Sequence, residues 1–217
     1  MRQKRKRFEA NKSLDHLIEP EKPLYKNIKG KWNLVYFQNN HPITLEIGCG
    51  HGAYTIGLAK LFPERNFIGI DIKGDRLWKG AQEAKDYALQ NVAFLRAQAT
   101  QLLEFFEENE VAEIWITFPD PRPKTRDIKR RLTSMRFLKL YKTILIQDGH
   151  VHLKTDSSLL FAYTLDLLQR QGIAPYNYTR DLYGSALISN HFGIQTTYEK
   201  RFIAEGMQIH YLCFGLK

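Results

Sequence analysis

The stretch Ile43–Gly52, ITLEIGCGHG, determines how the rest of the sequence is interpreted. An apolar run short enough for a buried strand ends in a loop with glycine at every second position, Gly48, Gly50 and Gly52, and a helical pattern follows. Glycine lets the backbone turn sharply and approach a ligand closely, and the N–H groups that begin the next helix face the same point. The stretch therefore predicts a strand, a nucleotide-binding loop and a helix.

Two acidic residues narrow the type of nucleotide. A second predicted strand, Asn66–Asp71, ends in a carboxylate about 20 residues after the loop, where dinucleotide-binding folds place the acid that holds ribose hydroxyls. Glu46 lies inside the first strand, where a charge is costly unless a cation or several donors meet it. The ammonium group of S-adenosylmethionine would meet it, whereas a dinucleotide brings only phosphates to the loop. This favours a methyl donor over a hydride carrier.

The glycine loop by itself leaves two alternatives open. Continued through Ala53, it fits the G-x-G-x-x-A pattern of nicotinamide dehydrogenases, and it is equally compatible with a tight structural turn. A dehydrogenase would also need a nicotinamide pocket and a hydride-handling residue in the second half of the chain. That half has a basic, proline-rich segment instead.

The chain of 217 residues is long enough for one well-buried α/β domain and short for two. We predict a single domain at residues 43–217, preceded by a basic and partly ordered extension at residues 1–42. The first dozen residues are expected to be either a solvated tail or an arm that touches phosphates. Aromatic and apolar residues are expected to anchor the later part of the extension on the domain: Trp32, Val35, Tyr36 and Phe37.

Composition indicates the kind of partner. The net charge of +9 is typical of proteins that bind a polyanion such as nucleic acid. Cys49, Cys213 and the seven histidines show no metal-binding spacing, so we predict no metal and reduced thiols. No apolar run has the roughly 20 residues that a membrane helix needs, and no signal-peptide pattern follows the basic N-terminus. We therefore expect a cytoplasmic protein, either monomer or homodimer.

Strands that alternate with helices predict a parallel sheet with ligands outside the carboxyl ends of its strands. Five further strands are predicted: Val92–Arg96, Glu113–Phe118, His150–Lys154, Ile173–Thr179 and Gln208–Phe214. A helix between Leu132 and His150 is expected to end at Gly149. Four polar residues fall at strand ends and are candidates for the ligand site: Glu46, Asp71, Gln98 and Asp120.

The segment Pro119–Leu132, PDPRPKTRDIKRRL, is the second informative stretch. Its three prolines cannot continue a helix or strand, so they predict a stiff loop that holds Asp120 at the edge of the sheet. Six cations follow within the segment: Arg122, Lys124, Arg126, Lys129, Arg130 and Arg131. They predict a surface for the nucleic acid backbone, with a merely solvated basic rim as the alternative.

Two later segments offer polar residues on the same side of the predicted sheet. Asp156 follows the His150–Lys154 strand, where helix capping explains it as well as substrate contact does. The residues Thr196, Thr197, Tyr198 and Glu199 are expected in an irregular connection before the last strand.

Together these residues resemble the bacterial tRNA (guanine-N7-)-methyltransferase family. The similarity rests on LEIGCGHG, FIGIDIK, FPDPRPKTRDIKRRL, HLKTDS and TTYEKRF, and it extends from about residue 44 to the C-terminus. The resemblance implies a Rossmann-like class I S-adenosylmethionine-dependent methyltransferase fold: an α/β domain with a seven-stranded, mostly parallel sheet and helices on both faces. It also implies methylation of a guanine in the tRNA variable loop, with S-adenosyl-L-methionine as cofactor.

The resemblance assigns roles to individual residues. Those matching the family's cofactor-binding positions are Glu46, Asp71, Gln98 and Asp120, and Asp120 is also the catalytic candidate. The glycine loop itself, rather than the resemblance, assigns Gly48 and Gly50 to the cofactor. Those matching its substrate contacts are Lys124, Asp156, Thr196, Thr197, Tyr198 and Glu199. The charge cluster itself, rather than the resemblance, assigns Arg126, Arg130 and Arg131 to tRNA phosphates.

The sequence departs from the family pattern at several positions. Gln98 stands where the family usually has an acid, although an amide can still accept from and donate to adenine. Asp71 replaces a commoner Glu, Arg122 a usual Trp, and Thr125 and Asp127 thin out a normally more basic run. Gln98 is the best argument for the remaining alternative, a non-catalytic RNA-binding protein on the same fold.

Overall fold

The computed structural model describes residues 2–217, with side chains described for residues 6, 7 and 9–217. Eight strands form one sheet in the order β1-β4-β3-β2-β5-β6-β8-β7. They are β1 Leu17–Ile18, β2 Ile43–Ile47, β3 Asn66–Asp71, β4 Val92–Arg96, β5 Val111–Thr117, β6 Leu145–Thr155, β7 Asn177–Thr179 and β8 His210–Gly215. Neighbouring strands are parallel except where β8 pairs with β6 and β7.

Helices cover both faces of this sheet, which confirms the predicted α/β class. The α-helices are α1 Arg2–Asn11, α2 Ala53–Leu61, α3 Gly74–Asp86, α4 Leu102–Phe105, α5 Met135–Ile144, α6 Ser158–Arg170 and α7 Thr197–Ala204. Alternate residues of a strand point to opposite faces, so Phe67 packs in one buried apolar cluster while Ile68 packs in the other. Each face therefore has a core of its own.

The sheet has one strand more than the seven predicted. The additional strand is β1, whose two residues pair with Phe94 and Leu95 at the parallel edge. A two-residue strand has no periodicity, so the sequence pattern could not indicate it.

Residues before the glycine loop pack against the rest of the chain. The indole of Trp32 is fully buried, donates a hydrogen bond of 2.8 Å to the Phe105 carbonyl and stacks on Phe106 at 5.5 Å between ring centroids. Asn11, at the end of α1, donates to the Gly74 carbonyl that begins α3. Val35 was also predicted to anchor this segment, but it is 40% exposed, so the prediction is wrong for this residue.

The helix predicted to end at Gly149 is shorter than expected. It is α5, which ends at Ile144 and continues directly into β6. Leu145 pairs with Val111 before a register shift in the β5–β6 ladder, and Asp148 adopts a positive φ of 60° there. Gly149 is thus a strand residue beside an irregularity in the ladder. Glycine is favoured at such irregularities as well as at helix ends, so its presence did not distinguish the two.

A buried ion pair joins β5 to β6. His152 lies 3.0 Å from Glu113, and the His152 ring stacks on Trp115 at 4.1 Å between centroids. Glu113 also pairs with Arg65. Burial alone would lower the pKa of His152, but contacts with Cys213 and Glu113 outweigh it and raise the pKa to about 9. Burial alone would raise the pKa of Glu113, but the His152 contact and Arg65 lower it to about 2.

These pKa values predict a pH-dependent stability. The contribution of His152 is complete below the ordinary pKa of 6.5 and is lost as pH rises through about 9. We expect the free energy of unfolding to fall between pH 6.5 and 9.5 by on the order of 1–3 kcal/mol more in the wild type than in His152→Gln, measured by urea unfolding. His150→Gln, on the same strand but exposed, is the control and should keep the wild-type dependence. Parallel pH curves for wild type and His152→Gln would contradict the assignment.

Candidate active site

A cavity of about 770 Å³ lies at the carboxyl ends of the parallel strands. The strand order places the ends of β3, β2 and β5 side by side, so the loops that follow them share this edge. The cavity wall includes these residues predicted from the sequence: Gly48, Gly50, Asp71, Gln98, Asp120, Arg130, Asp156, Thr196, Thr197 and Tyr198. One cavity therefore unites the glycine loop, the proline-rich loop and the late TTY segment.

The glycine loop has the backbone geometry that only glycine adopts readily. Gly48, Gly50 and Gly52 have φ angles of 78°, 58° and 76°. The N–H groups of Gly48 and Cys49 donate to the Ile70 carbonyl at 2.8 and 3.0 Å, which fixes the loop to β3. A side chain at Gly50 would meet no protein atom within 4 Å and would extend into open space. The loop is thus a fixed cradle that leaves room for a ligand.

Glu46 lies beneath this cradle rather than in the cavity wall. It is 3% exposed, and its carboxylate accepts hydrogen bonds from the Thr55 N–H at 3.0 Å and the Thr117 hydroxyl at 2.6 Å. Burial raises its pKa, while these hydrogen bonds act in the opposite direction. Glu46 thus joins β2 to α2 and β5 and so shapes the loop, and its contact with the cofactor stays a prediction.

Asp71 does reach the cavity. Its carboxylate accepts the Gly50 N–H at 3.1 Å with one oxygen and the Lys73 N–H at 2.8 Å with the other. A carboxylate has about four acceptor positions, so lone pairs remain for a ligand hydroxyl. Ile72, the next residue, is 58% exposed and lines the same wall, although the sequence analysis did not single it out. Its apolar side chain exposed beside a strand-end acid offers a surface for an aromatic base.

Gln98 and Asp120 complete this side of the cavity. Gln98 is exposed at the start of a short 3-10 helix, where its backbone N–H donates to the Gln101 side chain. Asp120 is paired with Arg122 through the guanidinium and the backbone N–H, each at 3.1 Å. The side chain of Asp120 is nevertheless 59% exposed, and it faces the cavity. Its carboxylate is held in position without being buried.

The opposite wall is built differently from what the sequence predicted. Thr197–Ala204 is helix α7, and Thr196 caps it by accepting the Glu199 N–H at 3.1 Å. The cap of α6 is Ser157, which accepts the Leu160 N–H, so Asp156 is not needed as a cap. Asp156 faces the cavity, and partial burial raises its pKa. A capping Thr in a T-x-x-E pattern was a visible helix signal that the sequence interpretation missed.

Aromatic side chains surround this wall. Tyr198 is 49% exposed, and its ring stacks on Phe202 at 6.5 Å between centroids. The ring centroid of Phe202 lies 5.8 Å from that of Phe118. Tyr198, Phe202 and Phe118 all line the cavity. Exposed aromatic faces beside a carboxylate can stack on a nucleobase while Asp156 accepts hydrogen bonds from its edge.

Glu199 is buried and paired in this structure, and its assignment as a substrate contact stays a prediction. It is fully buried and lies 2.9 Å from Lys154, which is also fully buried, and 3.0 Å from His191. The Tyr183 hydroxyl donates to it at 3.1 Å. Lys154 and His191 were not predicted, although a Lys near the end of the apolar strand HVHLKT was a visible signal. The network attaches α7 to β6 and so fixes the cavity wall.

The basic segment divides into exposed and buried members. Arg131 is 5% exposed, donates to the Arg122 carbonyl and packs over the Tyr163 ring at 4.3 Å. Its assignment to phosphates stays a prediction. Arg130 lines the cavity and pairs with Asp127 at 3.1 Å. Lys124 and Arg126 are exposed outside the cavity wall, where contact with a polyanion stays a prediction.

Loss of Lys154 should destabilise the protein strongly, because the buried carboxylate of Glu199 then loses its ammonium partner and keeps only His191 and Tyr183. We expect Lys154→Met to reduce the free energy of unfolding by about 3–5 kcal/mol in urea denaturation. The control is Arg201→Gln, because Arg201 lies on α7 like Glu199 but forms an exposed pair with Glu205. This substitution should reduce the free energy of unfolding by about 1 kcal/mol or less. Equal losses in the two variants would contradict the proposed attachment.

Two features are absent from the described residues 2–217. No helix in this range is long and apolar enough to cross a membrane. Among the same described residues, no group of three or more His, Cys, Asp or Glu side chains is placed to hold a metal ion.

Comparison with known proteins identifies the family. A family profile described as "Putative methyltransferase" matches residues 40–212. A tRNA (guanine-N(7)-)-methyltransferase of Cytophaga hutchinsonii is 49% identical over 98% of this chain and 97% of the relative. One of Porphyromonas gingivalis is 50% identical over 87% of this chain and 77% of the relative.

Solved structures give the fold independently. A SAM-dependent methyltransferase from Aquifex aeolicus superposes with a TM-score of 0.54 at 13% identity, covering 95% of this chain and 96% of the other. The fold is therefore that of S-adenosylmethionine-dependent methyltransferases, as predicted. The family profile and these two relatives show that the chain belongs to the tRNA (guanine-N7-)-methyltransferase family.

Proposed function

We propose that this protein transfers a methyl group from S-adenosyl-L-methionine to N7 of a guanine in the variable loop of tRNA. The observation that carries the proposal is the single cavity in which the carboxylates of Asp71 and Asp120 face an aromatic wall at Tyr198, with exposed cations at its rim. The names of the relatives support the substrate and the reaction. They do not favour a nicotinamide dehydrogenase or a non-catalytic RNA-binding protein.

The residues present suit the proposed cofactor. Bound S-adenosylmethionine would supply an electrophilic methyl group on a positively charged sulfur. The free acceptor positions of Asp71 suit ribose hydroxyls, and Ile72 and Gln98 suit the face and the edge of the adenine. The glycine loop leaves room for the amino acid portion, and Asp120 provides negative charge beside it.

The opposite wall suits the guanine. Tyr198 offers an exposed ring face for stacking beside the half-buried Phe202, and Asp156 and Thr197 offer polar atoms to the edge of the base. Lys124 and Arg126 are exposed in the adjoining loop and are assigned to phosphates. Arg130 extends this assignment to the rim of the cavity itself.

Asp120 has an electrostatic part in the reaction. Guanine N7 presents an unprotonated acceptor lone pair, so no residue has to remove a proton before attack. Methylation leaves positive charge on the purine, and a carboxylate fixed beside the ring stabilises that charge as it develops. The ion pair with Arg122 holds the Asp120 side chain before the substrate arrives. The rest of the acceleration comes from the two rigid walls that align the reactants.

The reaction itself can be tested in one assay. Purified protein is incubated with unfractionated tRNA and labelled S-adenosylmethionine, and the product is cleaved chemically at N7-methylguanine. We expect incorporation of label and a single cleavage site in the variable loop. Label on another atom, or none with active tRNA, would refute the proposed function.

Asp120→Asn should retain binding and lose turnover, because the amide has similar shape but no charge. We expect kcat for tRNA methylation to fall by about 10²-fold. Asp127→Asn is the matched control, since Asp127 lies in the same segment, pairs with Arg130 and is outside the cavity wall. An Asp120→Asn enzyme with wild-type kcat would remove the catalytic assignment.

A further inference from the structure

A second basic surface lies on the other side of the cavity from the proline-rich loop. It comprises side chains of α1 and of the start of α3: Lys6, Arg7, Lys73, Arg76 and Lys79, together called the α1–α3 surface. Within the described part of the chain, none of the five forms a salt bridge. Other lysines nearby are paired, as Lys12 is with Glu9 and Lys60 with Glu83. No ion pair in the described residues therefore occupies these five side chains, although Asp75 lies in the first turn of α3 between Lys73 and Arg76.

The packing of α1 against α3 joins this surface to the cavity. Asn11 donates to the Gly74 carbonyl, and Arg7 lies over the Trp78 ring at 5.0 Å, so the two helices run antiparallel from the cavity edge. Lys73 and Arg76 line the cavity itself. The positive surface thus begins at the catalytic cavity and extends down the outer side of α3.

The arrangement suits phosphate groups. An arginine stacked on an indole keeps its in-plane N–H donors available for bidentate contact with an anion. His51 lies at the cavity edge near the same positive charges. Burial lowers the pKa of its imidazole most, and Lys79, Arg76 and Arg7 lower that pKa further.

The topology places two basic surfaces on either side of the cavity. Lys73 and Arg76 follow β3, whereas Arg122 and Arg130 follow β5, and β2 lies between these strands. Two strand spacings separate the two sides by roughly 10 Å. A polynucleotide that contacts both sides must pass over the cavity, which presents one of its bases to the acids below.

We propose that the α1–α3 surface binds phosphates of the tRNA on the side of the cavity opposite the proline-rich loop, so that the RNA is held at both edges. This inference rests on the proposed function, because it names a second contact surface for the same substrate.

The test compares two double variants that each remove two positive charges. Lys6→Gln with Lys79→Gln changes the α1–α3 surface at exposed residues outside the catalytic cavity. Lys139→Gln with Lys142→Gln is the control, because both residues are exposed on α5. Lys142 lies near the amino end of β6, whereas the cavity lies at the carboxyl ends of the parallel strands. Circular dichroism melting shows that each variant is folded. Affinity for tRNA is then measured between 50 and 200 mM salt, a range of about fourfold.

We expect the first double variant to bind tRNA more weakly at low salt and to flatten the slope of log affinity against log salt by about 1.4–1.8 units. The control should keep the wild-type slope, and binding of S-adenosylmethionine should be unchanged in both. Equal slopes for the two double variants would overturn the inference. Failure of the proposed function would look different: the wild type itself would then transfer no methyl group to N7, whatever the slopes show.

Discussion

The buried carboxylate of Glu46 is the constraint on which the site depends. An acid at 3% exposure inside β2 is unfavourable unless donors surround it, and burial raises its pKa accordingly. Thr55 at the start of α2 and Thr117 at the end of β5 supply those donors. The same hydrogen bonds that offset the cost of burial therefore join a strand, a helix and a neighbouring strand around the glycine loop.

Charged side chains lie both in the cavity wall and outside it. Carboxylates of Asp71 and Asp120 lie within the cavity, where a sulfonium cofactor would need them. Exposed cations such as Lys124 and Lys79 lie outside the cavity wall, where phosphates of a large polyanion can reach. Long-range attraction by these cations favours the approach of a polyanion. The cavity wall itself carries both signs, because Lys73, Arg76 and Arg130 line it together with Asp71 and Asp120.

The sequence predicted the parts of the fold that local patterns encode. β3 and β4 have the predicted bounds, because short apolar runs between turn residues leave few alternatives. The cavity also unites three separate motifs as expected, since the ends of parallel strands meet at one edge. The burial of Arg131 and Glu199 could not be inferred, because it depends on partners such as Tyr163 and Lys154 that are remote in sequence. The two residues of β1 are too few to give a pattern at all.

The central claim is that the acids at the sheet edge hold a sulfonium cofactor. Isothermal titration of the purified protein with S-adenosylmethionine tests it most directly, in the wild type, in Asp71→Ala and in Asp75→Asn. Asp75 lies in the first turn of α3, outside the cavity wall, and serves as the matched control. The account predicts saturable binding by the wild type and the control, and loss of most of that affinity in Asp71→Ala. No heat of binding in the wild type, or equal affinity in Asp71→Ala, would contradict it.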